Sequence, residues 1–207
     1  MLNIAIDDSN TFYRKGMESF LREFFLNEKN KTLNFEKLTR FNINDADIIV
    51  QSFSAGEEYS CHPKLKYRRK SGLLIGLYEK DRGKLIHPLP TCIQNIVFIN
   101  RTDSLNECRE KINSAWDERP TFSKGKKSIK CHQCKYLKLT PRQILIAKQM
   151  LHGQDISKIA LSMGINVKTV SAHKRLMMDK FNLHSDFELM LFFDSLRSHS
   201  APLHLFS

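Results

Sequence analysis

No run of apolar residues in this chain approaches the ~20 that a membrane-spanning helix needs, so a helical membrane protein is excluded. The first residues meet two acids, Asp7 and Asp8, with no basic segment and apolar core ahead of them. A secretory signal is therefore not expected, and the chain is read as cytoplasmic, without a membrane partner. Cysteine is sparse and odd in number (Cys61, Cys92, Cys108, Cys131, Cys134), which in a reducing compartment excludes a disulfide framework. A glycine-rich phosphate loop, a nucleophile elbow and a metalloprotease motif are all missing. No catalytic residue and no cofactor are expected, and the chain is not read as an enzyme. Acids run short in one place above all: Lys and Arg number 19 against 17 Asp and Glu up to residue 119, but 14 against 5 thereafter. A basic C-terminal part suits a polyanion, because each Lys or Arg that meets a phosphate releases condensed counterions.

What is present is 207 residues, 41% hydrophobic and 27% charged, enough for two small soluble domains. In the first part, short apolar runs at 2–6, 48–50, 73–78 and 96–99 read as strands. Residues 12–25 read as a helix with Phe12, Met17, Phe20, Leu21 and Phe24 near one face, and 104–116 as a closing helix. Strands interleaved with helices predict an α/β domain with a mostly parallel sheet over residues 1–118. The stretch 54–72, carrying Lys64, Lys66, Arg68, Arg69 and Lys70, is expected to be a solvated loop or polar helix. From 119 to 138 the apolar period is lost and seven basic residues appear, which predicts a basic linker. Within it, Cys131-His132-Gln133-Cys134 has the spacing of half a zinc site or a redox pair. With no second such pair in the sequence, two thiols in a linker are expected and no metal.

The last part, 139–200, punctuates four helices. Thr140 caps the first, with Pro141 at its first position, Gln143 completing a capping box, Gly153 past its end, and Ile144, Ala147 and Leu151 inward. Asp155 caps a second helix that Gly164 stops, Asn166 caps a third from 167 to about 181, and Ser185 with Glu188 caps a fourth that ends near 196. A short helix, a Gly164-Ile165-Asn166 turn and a longer basic helix have the proportions of a helix-turn-helix, whose second helix lies in the major groove of double-stranded DNA. Ile159, Ala160, Ile165, Val167, Val170 and Leu176 are expected to hold the pair together. The DNA-binding stretch is expected to be Lys168, Thr169, Val170, Ser171, Ala172, His173, Lys174 and Arg175, a mixture of phosphate binders, hydrogen bonders and a small apolar residue suited to a thymine methyl. A merely solvated basic helix would not bring caps, turn and helix lengths into this agreement.

Leu139-Thr140-Pro141-Arg142, Gly153, Ile156-Ser157-Lys158-Ile159-Ala160, Gly164-Ile165, the run Val167 to His173 and Lys180-Phe181 resemble the LuxR/FixJ (NarL-type) DNA-binding domain. The resemblance implies that Ser171, Ala172 and Arg175 meet bases, that Lys168, Thr169 and His173 lie along phosphates, and that the fourth helix, 186–196, forms the dimer contact. Gln143 replaces the usual Glu and keeps the cap without the charge. The opening Ile4-Ala5-Ile6-Asp7-Asp8, Phe12 and 16–21 are similar to the first strand and helix of a response-regulator receiver, a family in which an acid pair holds Mg²⁺, an aspartate takes the phosphoryl group and a lysine senses it. Here Gln51 and Ser52 stand at the acceptor position, and Asn100 and Arg101 stand where the lysine is expected. Phosphoryl transfer is therefore not expected, and Asp7 and Asp8 are read as a polar strand end. A degenerate receiver joined to this helix-turn-helix resembles auxiliary regulators of enterobacterial capsule and surface-structure synthesis. That resemblance implies a homodimer, or a heterodimer with an Rcs-type response regulator. The alternative is an interaction protein that titrates another regulator without reading DNA itself.

Overall fold

The computed structural model describes residues 1–62, 64–68, 71–79, 85–119 and 136–198. They group into two compact units. The first is a parallel sheet in the order β2-β1-β3-β4-β5, formed by β1 (Leu2–Asp7), β2 (Leu33–Lys37), β3 (Ile48–Ser52), β4 (Leu73–Tyr78) and β5 (Ile96–Asn100). Register sets Ile4 opposite Phe35 on one side and Ile48 on the other, then Ile48 opposite Leu73. Because side chains alternate across a strand, Ile4, Ile6, Ile48, Val50, Leu73, Ile75, Leu77 and Ile99 point to one face. There they form a core with Met17, Leu21, Phe24 and Phe25 of α1 (Thr11–Lys29) and Ile112 and Trp116 of α2 (Leu105–Asp117). The Phe25 and Trp116 rings meet edge to face with centroids 4.7 Å apart, while Arg109 reaches Glu28 at 2.7 Å across the same two helices.

Phe12, expected on the inward face, is 91% exposed. Nine residues before Leu21, it lies about 180° around the helix from the buried stripe at 100° per residue, and Phe25 takes part in the core instead. The sequence reading also missed β2. This edge strand pairs only with β1, and half-buried Leu33 and Phe35 are its apolar residues.

Among the described residues of 54–72 only Lys64, Lys66 and Tyr67 are exposed, so the expectation of a solvated loop holds for a small part of the stretch. Ala55, Glu57, Glu58, Tyr59, Ser60, Cys61, His62, Leu65 and Arg68 are buried. Burial is possible because the polar groups find partners: Ser54 N–H donates to Glu57 Oε2 at 2.8 Å, and the Glu57 carbonyl accepts Ser60 Oγ at 2.8 Å and lies 2.9 Å from His62 Nε2. Arg68 donates to the carbonyls of Cys92 and Gly72 at 3.0 and 3.2 Å and to that of Gln94. Burial lowers its pKa only to about 10, so it stays charged at neutral pH.

The second unit holds α3 (Pro141–Leu151), α4 (Ile156–Met163), α5 (Val167–Lys180) and α6 (Asp186–Ser198). Residues 54–62 and 85–90 group with these helices although the chain reaches them much earlier. The expected linker falls mainly on 120–135, outside the described residues, as do Cys131 and Cys134. Ile146, Ala147, Ile159, Val170, Met177, Phe181, Leu189, Phe192 and Phe193 make the core, joined by Ala55 and Tyr59. Of the residues expected inward on α3, Ala147 is buried, Ile144 and Leu151 are partly buried against the core, and Ile146 is at its centre. Tyr59 O accepts Leu137 N–H at 2.9 Å and Tyr59 Oη accepts Ile86 N–H at 3.1 Å. Gly56 has φ +77°, and a Cβ there would come within 2.9 Å of Phe181 Cβ and its carbonyl oxygen. Gly56→Ala is therefore expected to lose about 1–3 kcal/mol from the left-handed backbone before the clash is added. Thermal unfolding at the wild-type Tm would contradict that packing. Among the described residues no helix is long and apolar enough to cross a membrane.

Candidate nucleic-acid interface

The three helices α3 to α5 begin on the caps read from the sequence. Thr140 Oγ1 accepts Gln143 N–H at 3.3 Å while Gln143 Oε1 accepts Thr140 N–H at 2.9 Å. Asp155 Oδ1 accepts Lys158 N–H at 2.8 Å, which holds the Asp155 carboxyl below its usual range. Gly164 closes α4 in the left-handed region at φ +61°, Ile165 N–H donates to Ala160 O at 3.0 Å, and Asn166 Oδ1 accepts Lys168 N–H at 2.8 Å. The turn between α4 and α5 is thus fixed by backbone groups and the short Asn166 side chain, and not by long side chains.

This geometry sorts the expected DNA-binding stretch by face. Lys168, Thr169, Ala172 and Arg175 are exposed and, at spacings of three and four residues, form one stripe along α5. Ser171 and His173 flank it, half-buried. Val170 is corrected out of the stretch: it is fully buried in the core and presents nothing to a groove. Its inward partner is Met177, and not Leu176, which is 56% exposed. Seven residues bring the helix back within about 20° of Val170, whereas six leave it about 120° away. Val167, also expected inward, is 45% exposed. Lys174 is half-buried and its Nζ lies 2.8 and 2.9 Å from the Asp186 carboxylate at the start of α6. The sequence could not show that pairing, because the two residues lie on different helices.

On α6, Ser185 Oγ accepts Glu188 N–H at 3.1 Å and Glu188 Oε2 accepts His184 N–H at 2.8 Å. Leu189, Phe192, Phe193 and Leu196 are turned into the core, whereas Phe187 is 69% and Leu191 42% exposed, with Met190 half-buried between them. Spacings of three and four place these three on one outward side.

At the C-terminal ends of the parallel strands, where a doubly wound sheet forms its crevice, the first unit gathers Asp8, Ser52 and Arg101. Asp8 Oδ1 accepts Asn10 N–H at 2.7 Å, and Oδ2 accepts Arg101 Nη2 at 2.6 Å and Ser52 Oγ at 3.1 Å. Arg101 also reaches Ser52 Oγ at 2.9 Å and Glu79 at 3.1 Å, and its guanidinium lies 4.2 Å from the Tyr13 ring centroid. Burial pushes the Tyr13 phenol up to about 12, so that ring stays neutral. The resemblance to a receiver implies Mg²⁺ on Asp7 and Asp8, and the surroundings of Asp8 do not fit it. Both oxygens of Asp8 are already engaged, and a fixed guanidinium charge stands where a divalent cation needs oxygen ligands. Ser52, a neutral hydroxyl donating to Asp8, offers no carboxylate to carry a phosphoryl group. Incubation with acetyl phosphate and Mg²⁺ is expected to leave the intact mass and the DNA affinity unchanged. A stoichiometric phosphoryl adduct would overturn this reading of the site.

Residues 137–193 match the family model described as "Bacterial regulatory proteins, luxR family". A search of curated proteins found no match. Among solved structures, RcsB from Salmonella enterica serovar Typhimurium bound to promoter P1flhDC in the presence of phosphomimetic BeF3- aligns with TM-score 0.61 at 14% identity, over 94% of this chain and 98% of that one. The two-component response regulator RcsB in its DNA complex aligns with TM-score 0.59 at 15% identity, and a structure of two RcsB dimers on two parallel DNAs with 0.54 at 14%, each over 94% of this chain and 98% of the other. At such identities the likeness concerns the fold. Residues 137–193 thus match the luxR-family model, and the chain as a whole has the fold of these RcsB structures, with a five-stranded parallel sheet ahead of the helices in which Asp8 is paired with Arg101.

Proposed function

We propose that this protein is a DNA-binding transcription regulator in which α5 reads the major groove. The observation that carries the reading is the exposed stripe of Lys168, Thr169, Ala172 and Arg175 on a helix whose opposite side, Val170 and Met177, is fully buried. Such a stripe combines a guanidinium that can bind a guanine edge with two hydrogen bonds, a methyl that suits thymine, and groups for phosphates. Ser171 and His173 border the groove, while Lys174, held by Asp186, contributes chiefly by docking α5 against α6. Gel shift with the unphosphorylated full chain tests the reading, and retention of no duplex at low salt would remove it.

The working species on DNA is a dimer, because one helix-turn-helix reads a single half-site and tight binding needs a second copy about one helical turn away. Exposed Phe187 and Leu191 with Met190 offer α6 as the contact, and RcsB, whose fold this chain shares, is known as dimers on DNA. The arrangement is a homodimer or a heterodimer with a response regulator of the Rcs type, acting on capsule or other surface-structure genes. Control then passes through abundance or through the partner's own receiver. Leu191→Asp is expected to abolish cooperative binding to a full site and leave half-site binding and circular dichroism as in wild type. Full-site affinity undiminished in that variant would place the dimer contact on another surface.

A further inference from the structure

In the basic run between β3 and β4, residues 64–68 alternate buried anchors with exposed side chains. No acidic residue occurs between Glu58 and Glu79, and the run Lys64-Leu65-Lys66-Tyr67-Arg68 continues in sequence through Arg69 and Lys70. Two of its residues are anchors. Leu65 is fully buried, and buried Arg68 is held by the three backbone carbonyls described above. Between them the chain closes a 3-10 turn, with Tyr67 N–H donating to Lys64 O and Arg68 N–H to Leu65 O at 3.2 and 3.1 Å. The alternation turns the other three residues outward: Lys64 and Lys66 are exposed, Tyr67 is 56% exposed, and Lys66 Nζ lies 4.6 Å from the Tyr67 ring centroid. A side chain as large as Tyr67 left exposed on a turn this firmly held, beside the Lys66 ammonium and on the same turn as exposed Lys64, has the composition of a polyanion contact: two point charges for phosphates, and a phenol that can donate to a phosphate oxygen.

We infer that Lys64, Lys66 and Tyr67 form a second, sequence-independent DNA contact that grips the phosphate backbone while α5 reads bases. This rests on the DNA-binding reading of α5, which supplies the polyanion. Affinity would thus be shared between the two units of the chain, and discrimination would belong to one of them.

The test uses the full chain as Lys64→Gln/Lys66→Gln, which removes charge and leaves both anchors in place, beside Lys64→Arg/Lys66→Arg and Arg175→Ala. Each is titrated by fluorescence anisotropy on a duplex selected from a random pool and on a scrambled duplex, across a salt series. The double Gln variant is expected to bind both duplexes more weakly by the same factor, with the slope of log K against log salt shallower by about 1.8 for two lost phosphate contacts. Its deficit against wild type should therefore shrink about twelvefold between 50 and 200 mM salt. The double Arg variant should behave as wild type, and Tyr67→Ala should lower both affinities without altering the slope. Wild-type affinity and slope in the double Gln variant, in an assay where Arg175→Ala loses discrimination, would overturn the inference and leave the reading of α5 intact. Loss of binding to RNA or to an acidic polypeptide with duplex affinity unchanged would also overturn it, by giving the surface to another partner. A wild-type chain that holds neither duplex would bring down both readings.

Discussion

Replacing Arg101 by alanine is expected to cost about 3–5 kcal/mol of folding free energy, because it strands the carboxylate of Asp8 in the sheet crevice. The Asp8 side chain has no solvent exposure and that of Arg101 only 13%, so water cannot readily take over the role of the guanidinium. Asn10 N–H and Ser52 Oγ would remain on the carboxylate, but neither carries charge. The same substitution removes the cation from the face of Tyr13 and the partner of Glu79. Denaturant unfolding measures the loss, and pairing Arg101→Ala with Asp8→Asn should recover most of it, since the second change removes the stranded charge. A loss below about 1 kcal/mol, the ordinary worth of an exposed ion pair, would mean that Asp8 does not depend on Arg101.

That ion pair marks the boundary of what the sequence discloses. The absence of an acceptor aspartate and of a lysine could be read directly, from Gln51 and Ser52 at the one position and Asn100 and Arg101 at the other. The closure of the site by Arg101 could not, because the pair joins residues 93 positions apart. Helix ends in the C-terminal part were legible since capping is local: Thr140, Asp155, Gly164 and Asn166 act within four residues of themselves. The face of α5 was less so. Val170 and Leu176 both suit an inward position by residue type, and only the packing of α5 on α4 and α3 selects Val170 with Met177. Residues 54–72 misled for the opposite reason. Their charges argue for solvent, yet Arg68 and Glu57 are buried with partners, and small Ala55 and Gly56 reach the core of a unit whose helices come some eighty residues later in the chain. Strand β2 escaped notice because an edge strand needs few apolar side chains.

Arg175→Ala is expected to weaken binding by about 1–3 kcal/mol at one base position and to relax the preference there, with other positions unchanged. Lys168→Ala, at the start of the same stripe, should instead weaken all duplexes alike and flatten the salt slope by about 0.9, the signature of one phosphate contact. The contrast separates base reading from charge attraction on a single helix. Lys174→Ala supplies the control: with its Nζ on Asp186, it should cost stability of the helical unit more than it changes discrimination. Equal, sequence-independent losses for Arg175→Ala and Lys168→Ala would take Arg175 away from the bases.

On the function proposed above, α5 discriminates between DNA sequences while the receiver-like domain is unphosphorylated. This is tested by the affinity of the untreated 207-residue chain, at one fixed salt concentration near physiological, for a duplex selected from a random pool and for the scrambled duplex of equal length. A ratio of about 10³ or more, the lower range for specific DNA-binding proteins, that falls in Arg175→Ala, is the result expected. A ratio near one in the wild-type protein, or one unmoved by Arg175→Ala, would contradict it.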